Sequence, residues 1–195
     1  MKKKIILIAL AAIMAFGATA CEVSTDNDTE PTAKTGAVEK TKEKEATTTE
    51  VVAEGAVSLG NFIEKGNYKF SFVDAKQYDE IKDPENEFLD ATPSEGKKYL
   101  VLFFEVENIS SEKQNVNLFY YKAYLDDYDI DQETILAKPE GYEMLSGDLA
   151  PGKKLKGYVC YEVDPDWKKL EFTYTDGILD SDTTYDFVVT SDEVK

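Results

Sequence analysis

The stretch KKYLVLFFEVEN, residues 97–108, limits what this chain can fold into more than any other, because it keeps an apolar residue at every second position from Leu100 to Val106. Leu100, Leu102, Phe104 and Val106 fall at every second position and share one face of an extended strand, whereas a helix would scatter them around its axis. Five further runs keep the same period: NYKFSFVDA, FYYKAYLD, KLKGYVCYEV, KKLEFTYTDG and TYDFVVTS. In KLKGYVCYEV the aligned set is Val159, Tyr161 and Val163, with Cys160 on the opposite face. Turn-forming residues at Asn67, NISSE, APGKK and DPDW separate the runs. No window holds a helical period beyond a turn or two; DAKQYDEI and GYEMLSG are the best candidates for short helical pieces. Six or more strands joined by tight turns predict an all-β fold, an antiparallel β-sandwich in a single domain.

The strands occupy only part of the chain. Lys2, Lys3 and Lys4 precede an uncharged, mostly apolar run from Ile5 to Gly17, too short for the ~20 residues of a membrane span and suited to an export signal. Ala18, Thr19, Ala20 and Cys21 then fit two signals. As small-x-small they allow ordinary cleavage before Cys21, after which Cys21 could pair with Cys160. As a lipobox, with Ala18 where Leu is typical, they make Cys21 the acylated N-terminus. The lipobox is the favoured reading, because the residues after Cys21 form a polar tether. Residues 1–20 are thus expected to be a lipoprotein signal peptide and residues 21–55 a disordered tether rich in Thr, Glu and Lys. Residues 56–191 carry the sandwich. The tether has too few large apolar residues to offset its chain entropy. The expected location is the outer face of the cell membrane, reached through acyl chains on Cys21.

Charge removes some function classes. The formal net charge is -17, and loss of the three leader lysines takes it to -20. The 22 basic residues are all Lys. Nucleic-acid binding requires a basic footprint and favours Arg forks, so it is not expected. An acidic chain is also repelled by anionic lipid, which leaves acyl chains as the means of attachment.

The leader, the tether, the strand YLVLFFEVENIS ending near Asn108, and LAPGKKLKGYVCYEVDPDW together resemble the domain of unknown function 4352 family of Gram-positive lipoproteins. The resemblance covers roughly residues 60–174 and is most specific at Leu149, Pro151, Gly152, Lys156 and Gly157, leading into Val159, Tyr161, Val163 and Pro165. It implies an immunoglobulin-like sandwich related to secreted mycobacterial immunoprotective antigens. The chain departs from the family pattern at Tyr161, where Phe is usual, at Asp164 before Pro165, and in LDDYDIDQ, which lacks the usual Gly. The family carries no agreed activity, so the resemblance implies no catalytic residue. In physical terms Pro151 and Gly152 close a tight turn, and Gly157 lets another backbone approach.

The residues themselves offer little chemistry. The chain has no His, which removes Ser-His and Cys-His nucleophiles and the common His-containing zinc sites. Cys160 sits mid-strand with no Arg or His to activate it and reads as inert filler. Ser110 and Lys113, with Lys34-Thr35-Gly36, imitate the pieces of a penicillin-binding site but stand in the wrong order. Asp126, Asp127, Asp129, Asp131 and Glu133 form the best metal candidate, with Asp127, Asp129 and Asp131 as weak calcium ligands. The EF-hand template fails there, with Gln132 at position six and Lys138 at position twelve. A solvated hairpin tip is the favoured reading. Among the clustered tyrosines, Tyr120, Tyr124 and Tyr128 are the candidates for an exposed stacking surface. The expectation is a lipid-anchored extracellular binding or scaffold lipoprotein without catalytic activity or cofactor, its partner an unidentified extracellular protein or glycan. The alternative is an envelope ligand-binding module that recognises a glycan or weakly binds calcium.

Overall fold

The structure, a computed structural model, describes residues 34–37, 55–117, 120–177 and 183–195. The leader, Cys21 and most of the expected tether lie outside these residues. In chain order the strands are β1 (Lys34–Ala37), β2 (Val57–Ser58), β3 (Asn61–Lys65), β4 (Tyr68–Tyr78), β5 (Lys98–Asn108), β6 (Gln114–Val116) and β7 (Tyr121–Leu125). They continue with β8 (Tyr128–Asp129), β9 (Glu143–Met144), β10 (Gly147–Leu149), β11 (Lys154–Val163), β12 (Lys169–Thr175) and β13 (Thr184–Thr190). One sheet has the order β1-β3-β4-β5-β11-β9 and the other β2-β13-β12-β7-β8, with β10 and β6 forming a small pair. The fold is all-β, the immunoglobulin-like sandwich that the periodicity and the family resemblance imply. Most pairings are antiparallel; β2 with β13 and β9 with β11 are parallel.

All six alternating runs form strands. Leu100, Leu102, Phe104 and Val106 point into the space between the sheets, with Val159, Tyr161 and Val163 beside them and Phe172, Tyr174, Tyr185 and Phe187 across from them. Each such side chain contributes about 1.5–3 kcal/mol on burial. Aromatic packing orders the interior: Phe72 stacks on Phe104 at 5.0 Å, and Phe104 meets Phe187 edge-on at 5.1 Å.

β5 is buried on both faces. Tyr99, Val101 and Phe103 point outward with Tyr158 and Cys160, and the connections 79–97 and 130–142 close over them with Ile81, Ile135 and Ala137. Asp83 ties these covers together: its carboxylate accepts from the backbone N–H of Glu85 (2.9 Å), Asn86 (2.8 Å) and Lys138 (2.8 Å). Burial opposes ionisation of Asp83, but the three N–H donors outweigh it and hold the carboxyl below its usual range.

The two expected helical pieces are not helical. Asp74–Tyr78 continues β4 past an irregularity at Val73, where the register with β5 shifts from Phe72↔Phe104 to Asp74↔Phe103. That extra residue breaks the alternation and leaves a spacing that imitates a helix. GYEMLSG begins at the end of a 3-10 turn, Pro139–Gly141, and then supplies β9. β1 lies inside the stretch expected to be tether and pairs with β3 at the sheet edge, Lys34↔Glu64 to Ala37↔Asn61.

The family-like turn has the geometry expected of it. Lys153 N–H donates to Ala150 C=O at 3.0 Å across Pro151 and Gly152, and Gly152 has φ +69°. Asn108, fully buried, anchors this turn by donating to the carbonyls of Glu112 (2.7 Å) and Leu149 (2.9 Å). Its own side-chain oxygen accepts from Ser110 N–H at 2.9 Å.

Candidate functional site

The acidic segment begins as a two-residue hairpin. Asp126 and Asp127 both adopt positive φ, +48° and +74°, the combination a tight β7–β8 connection requires and one that Asp tolerates better than most residues. The glycine missing from LDDYDIDQ is thus replaced by chemistry: the Asp126 carboxylate accepts from the N–H of Lys168 (3.0 Å) and Lys169 (2.8 Å) and locks the turn to the loop before β12.

After β8 the chain leaves one sheet for the other. Ile130 N–H still donates to Ala123 C=O at 3.1 Å, and three residues later Glu133 N–H donates to Cys160 C=O at 2.8 Å on β11. This crossing leaves a groove of about 260 Å³ on the open side of the sandwich, lined by Tyr121, Lys122, Asp129, Asp131, Gln132 and Tyr161 among others. Burial pushes the phenols of Tyr121 and Tyr161 well above their ordinary range, so both stay protonated. The Tyr121 hydroxyl is committed to Leu145 C=O at 2.6 Å. Lys122 lies over the Tyr124 ring at 5.0 Å; the Tyr124 hydroxyl and then the Asp129 charge hold its pKa above the usual value. The Gln132 amide, one ammonium and two carboxylates suit hydrogen bonding to a small polar ligand.

The sequence candidates are distributed as follows. Asp127 protrudes from the turn, 3.8 Å from the Lys169 ammonium. Asp129 and Asp131 line the groove. The three proposed calcium ligands are therefore not brought together, and among the described residues no three acidic or sulfur side chains converge as a metal site. Tyr124 and Tyr128 are exposed, but Tyr124 pairs with Asp129 and Leu125 with Tyr128, so the two rings belong to alternate faces. Tyr120 is half-buried against Tyr174, ring centres 6.3 Å apart. The three tyrosines form no single platform.

The remaining candidates are spent on structure. Ser110 Oγ donates to Asn108 Oδ1 at 2.8 Å, and Lys113 pairs with Asp148 at 2.6 Å. Lys34-Thr35-Gly36 lies in β1, separated from β5 by β3 and β4. Cys160 is wholly buried, and burial pushes its thiol far above its ordinary range, the opposite of a nucleophile's environment. Besides Asp129 and Asp131, the one sequence signal that falls on the groove is Tyr161, where the resemblance has Phe.

The yjhA protein of Bacillus subtilis superposes with a TM-score of 0.52 at 14% identity, covering 71% of this chain and 99% of that one. An uncharacterised β-sandwich protein of Clostridium difficile 630 gives 0.46 at 12% identity, covering 75% and 99%. The ycdA protein of Bacillus subtilis, a candidate lipoprotein, gives 0.49 at 15% identity; the match covers 65% of this chain and only 37% of that one. No curated protein matches the chain. The family profile named domain of unknown function, DUF4352, matches residues 57–184, from β2 to the start of β13. With about two thirds of its length so matched, this chain belongs to the DUF4352 family.

Proposed function

We propose that this protein is a lipid-anchored extracytoplasmic lipoprotein that binds or scaffolds a partner and catalyses no reaction, held to the outer face of the membrane by acyl chains on Cys21. The supporting observation is the complete burial of Cys160 beneath the covers of β5 and β11. With Cys160 buried and its thiol held protonated, a disulfide to Cys21 would have to form before the covers close, which favours acylation. The buried thiol is also out of reach of a substrate. Mass spectrometry of the mature N-terminus from a Gram-positive host tests the anchor: a diacylglyceryl-modified Cys21 is expected, and an unmodified Cys21 in the medium would refute it.

The groove between β7, β8 and β11 supports a second reading, a ligand-binding module for a hydroxyl-rich molecule such as a glycan, because its lining includes an amide, an ammonium and two carboxylates around a space of that scale. Calcium is the less favoured ligand. Equal concentrations of calcium and magnesium should raise the melting temperature alike, through relief of carboxylate repulsion; a calcium-specific rise abolished by Asp129→Asn would reverse this preference.

A further inference from the structure

Gly36 stands in the middle of β1, where a glycine normally weakens a strand. Its partner across the pair is Phe62 of β3. A Cβ built on Gly36 would lie 2.6 Å from Phe62 Cζ and 2.8 Å from its Cε1, so the aromatic ring occupies the place a side chain would take. On its other side the ring is held by Lys69, whose ammonium sits 4.0 Å from the ring centre. Phe62 thus forms a keyed position on the outer face, fitted to a residue without a side chain. Without β1, the outer backbone groups of Asn61–Lys65 would form an open sheet edge, a template for any extended peptide.

We infer that the β3 edge is a strand-acceptor site, keyed by Phe62 to glycine, whose occupant is the chain's own Lys34–Ala37, and that docking of this segment sets how far the domain stands from its anchor. The second part rests on the lipid anchor at Cys21. Only 12 residues, 22–33, separate Cys21 from β1, whereas 35 residues, 22–56, separate it from β2. At ~3.3–3.6 Å per residue the docked chain reaches at most about 43 Å, and the undocked chain up to about 125 Å. Four residue pairs is a short hold for an edge strand, so the segment exchanges between the two lengths. An extended partner peptide with glycine opposite Phe62 competes for the same edge and lengthens the tether by displacing β1.

Hydrogen exchange on the whole mature chain carrying Cys21→Ser tests the acceptor site apart from the anchor. The amides of residues 34–37 are expected to exchange at least about tenfold slower than in an isolated peptide of that segment, independently of protein concentration. Gly36→Val should abolish the protection, and Phe62→Ala added to Gly36→Val should restore part of it by making room. Unprotected amides in the parent chain, or protection that survives Gly36→Val, would overturn the site. Protection that grows with concentration alongside a dimer would make a second copy the occupant and overturn the assignment in cis. In the acylated chain on vesicles, energy transfer from the domain to a bilayer dye should fall with Gly36→Val; no change would overturn the effect on stand-off while leaving the acceptor site in place. Loss of the anchor would show separately, as an unmodified N-terminal mass.

Discussion

Gly157 shows how much one absent methyl can decide. A Cβ there would lie 2.6 Å from Leu145 Cα and 2.9 Å from Leu145 N, both backbone atoms that cannot swing aside. The segment carrying β9 can lie against β11 only because position 157 is bare. Gly157→Ala is expected to destabilise the fold by about 1–3 kcal/mol, read as a lower urea midpoint at unchanged slope. Asp83 makes a second residue-scale prediction, this one in pH. Its folded pKa lies below the unfolded value of about 3.9, so its contribution is present above pH ~4 and fades as pH falls through the folded pKa. Asp83→Asn should therefore be less stable than the parent at pH 7, with the gap closing in acid. A gap that stayed constant down to pH 2 would mean that the charge of Asp83 contributes nothing.

The β7–β8 hairpin separates two aspartates that look identical in sequence. Asp127→Gly should stabilise by about 0.5–1 kcal/mol, because glycine adopts φ +74° without strain. Asp126→Gly should cost about 1 kcal/mol or more, because the bonds to Lys168 and Lys169 N–H are lost. Opposite signs in thermal unfolding at neighbouring positions are the expected result, and equal signs would contradict the turn geometry. Elements of this kind mark the limit of what the sequence reveals. The six alternating runs are legible because one face of each is buried, and the same count correctly places Cys160 on the face turned away from the space between the sheets. The covers over β5 are not legible, since 79–97 and 130–142 bury a few residues each without any period. Their trace in the sequence is YLVLFF itself, six apolar residues in a row, which is more than a strand with one wet face needs. The candidate site was readable as acidic, but not as to which carboxylates are consumed by backbone donors, because those donors come from Lys168 and Lys169, more than 40 positions away.

Across the whole molecule, the interior is unusually rich in phenols. Tyr68, Tyr174 and Tyr185 pack together with ring centres 5.9–6.0 Å apart, and the hydroxyls of Tyr68 and Tyr185 donate to the carbonyls of Asn115 and Lys65. Burial first, and then the charge of Asp176, pushes Tyr68 up to about 12. Groups raised in this way stabilise fully below their unfolded pKa of ~10, and the benefit is lost as pH climbs from there through 12. Tyrosinate absorbance should accordingly rise in two stages, exposed rings near pH 10 and buried ones together with cooperative unfolding. A single smooth titration of all 12 tyrosines near pH 10 would refute the packed core. The parallel pair β2–β13 has a consequence of another kind, in time. It joins Val57 to Phe187, and the central pair β5–β11 joins Lys98 to Val163, so one sheet can close only once residue 163 is made and the other only once residue 187 is. At about 5–20 residues per second, synthesis of 195 residues takes roughly 10–40 s, and for most of that time neither sheet has all its strands. The proposed leader at residues 1–20 would emerge first and would reach the export machinery before the last strand exists. The topology itself postpones closure of the fold until late in synthesis, which would keep the chain threadable for the proposed export.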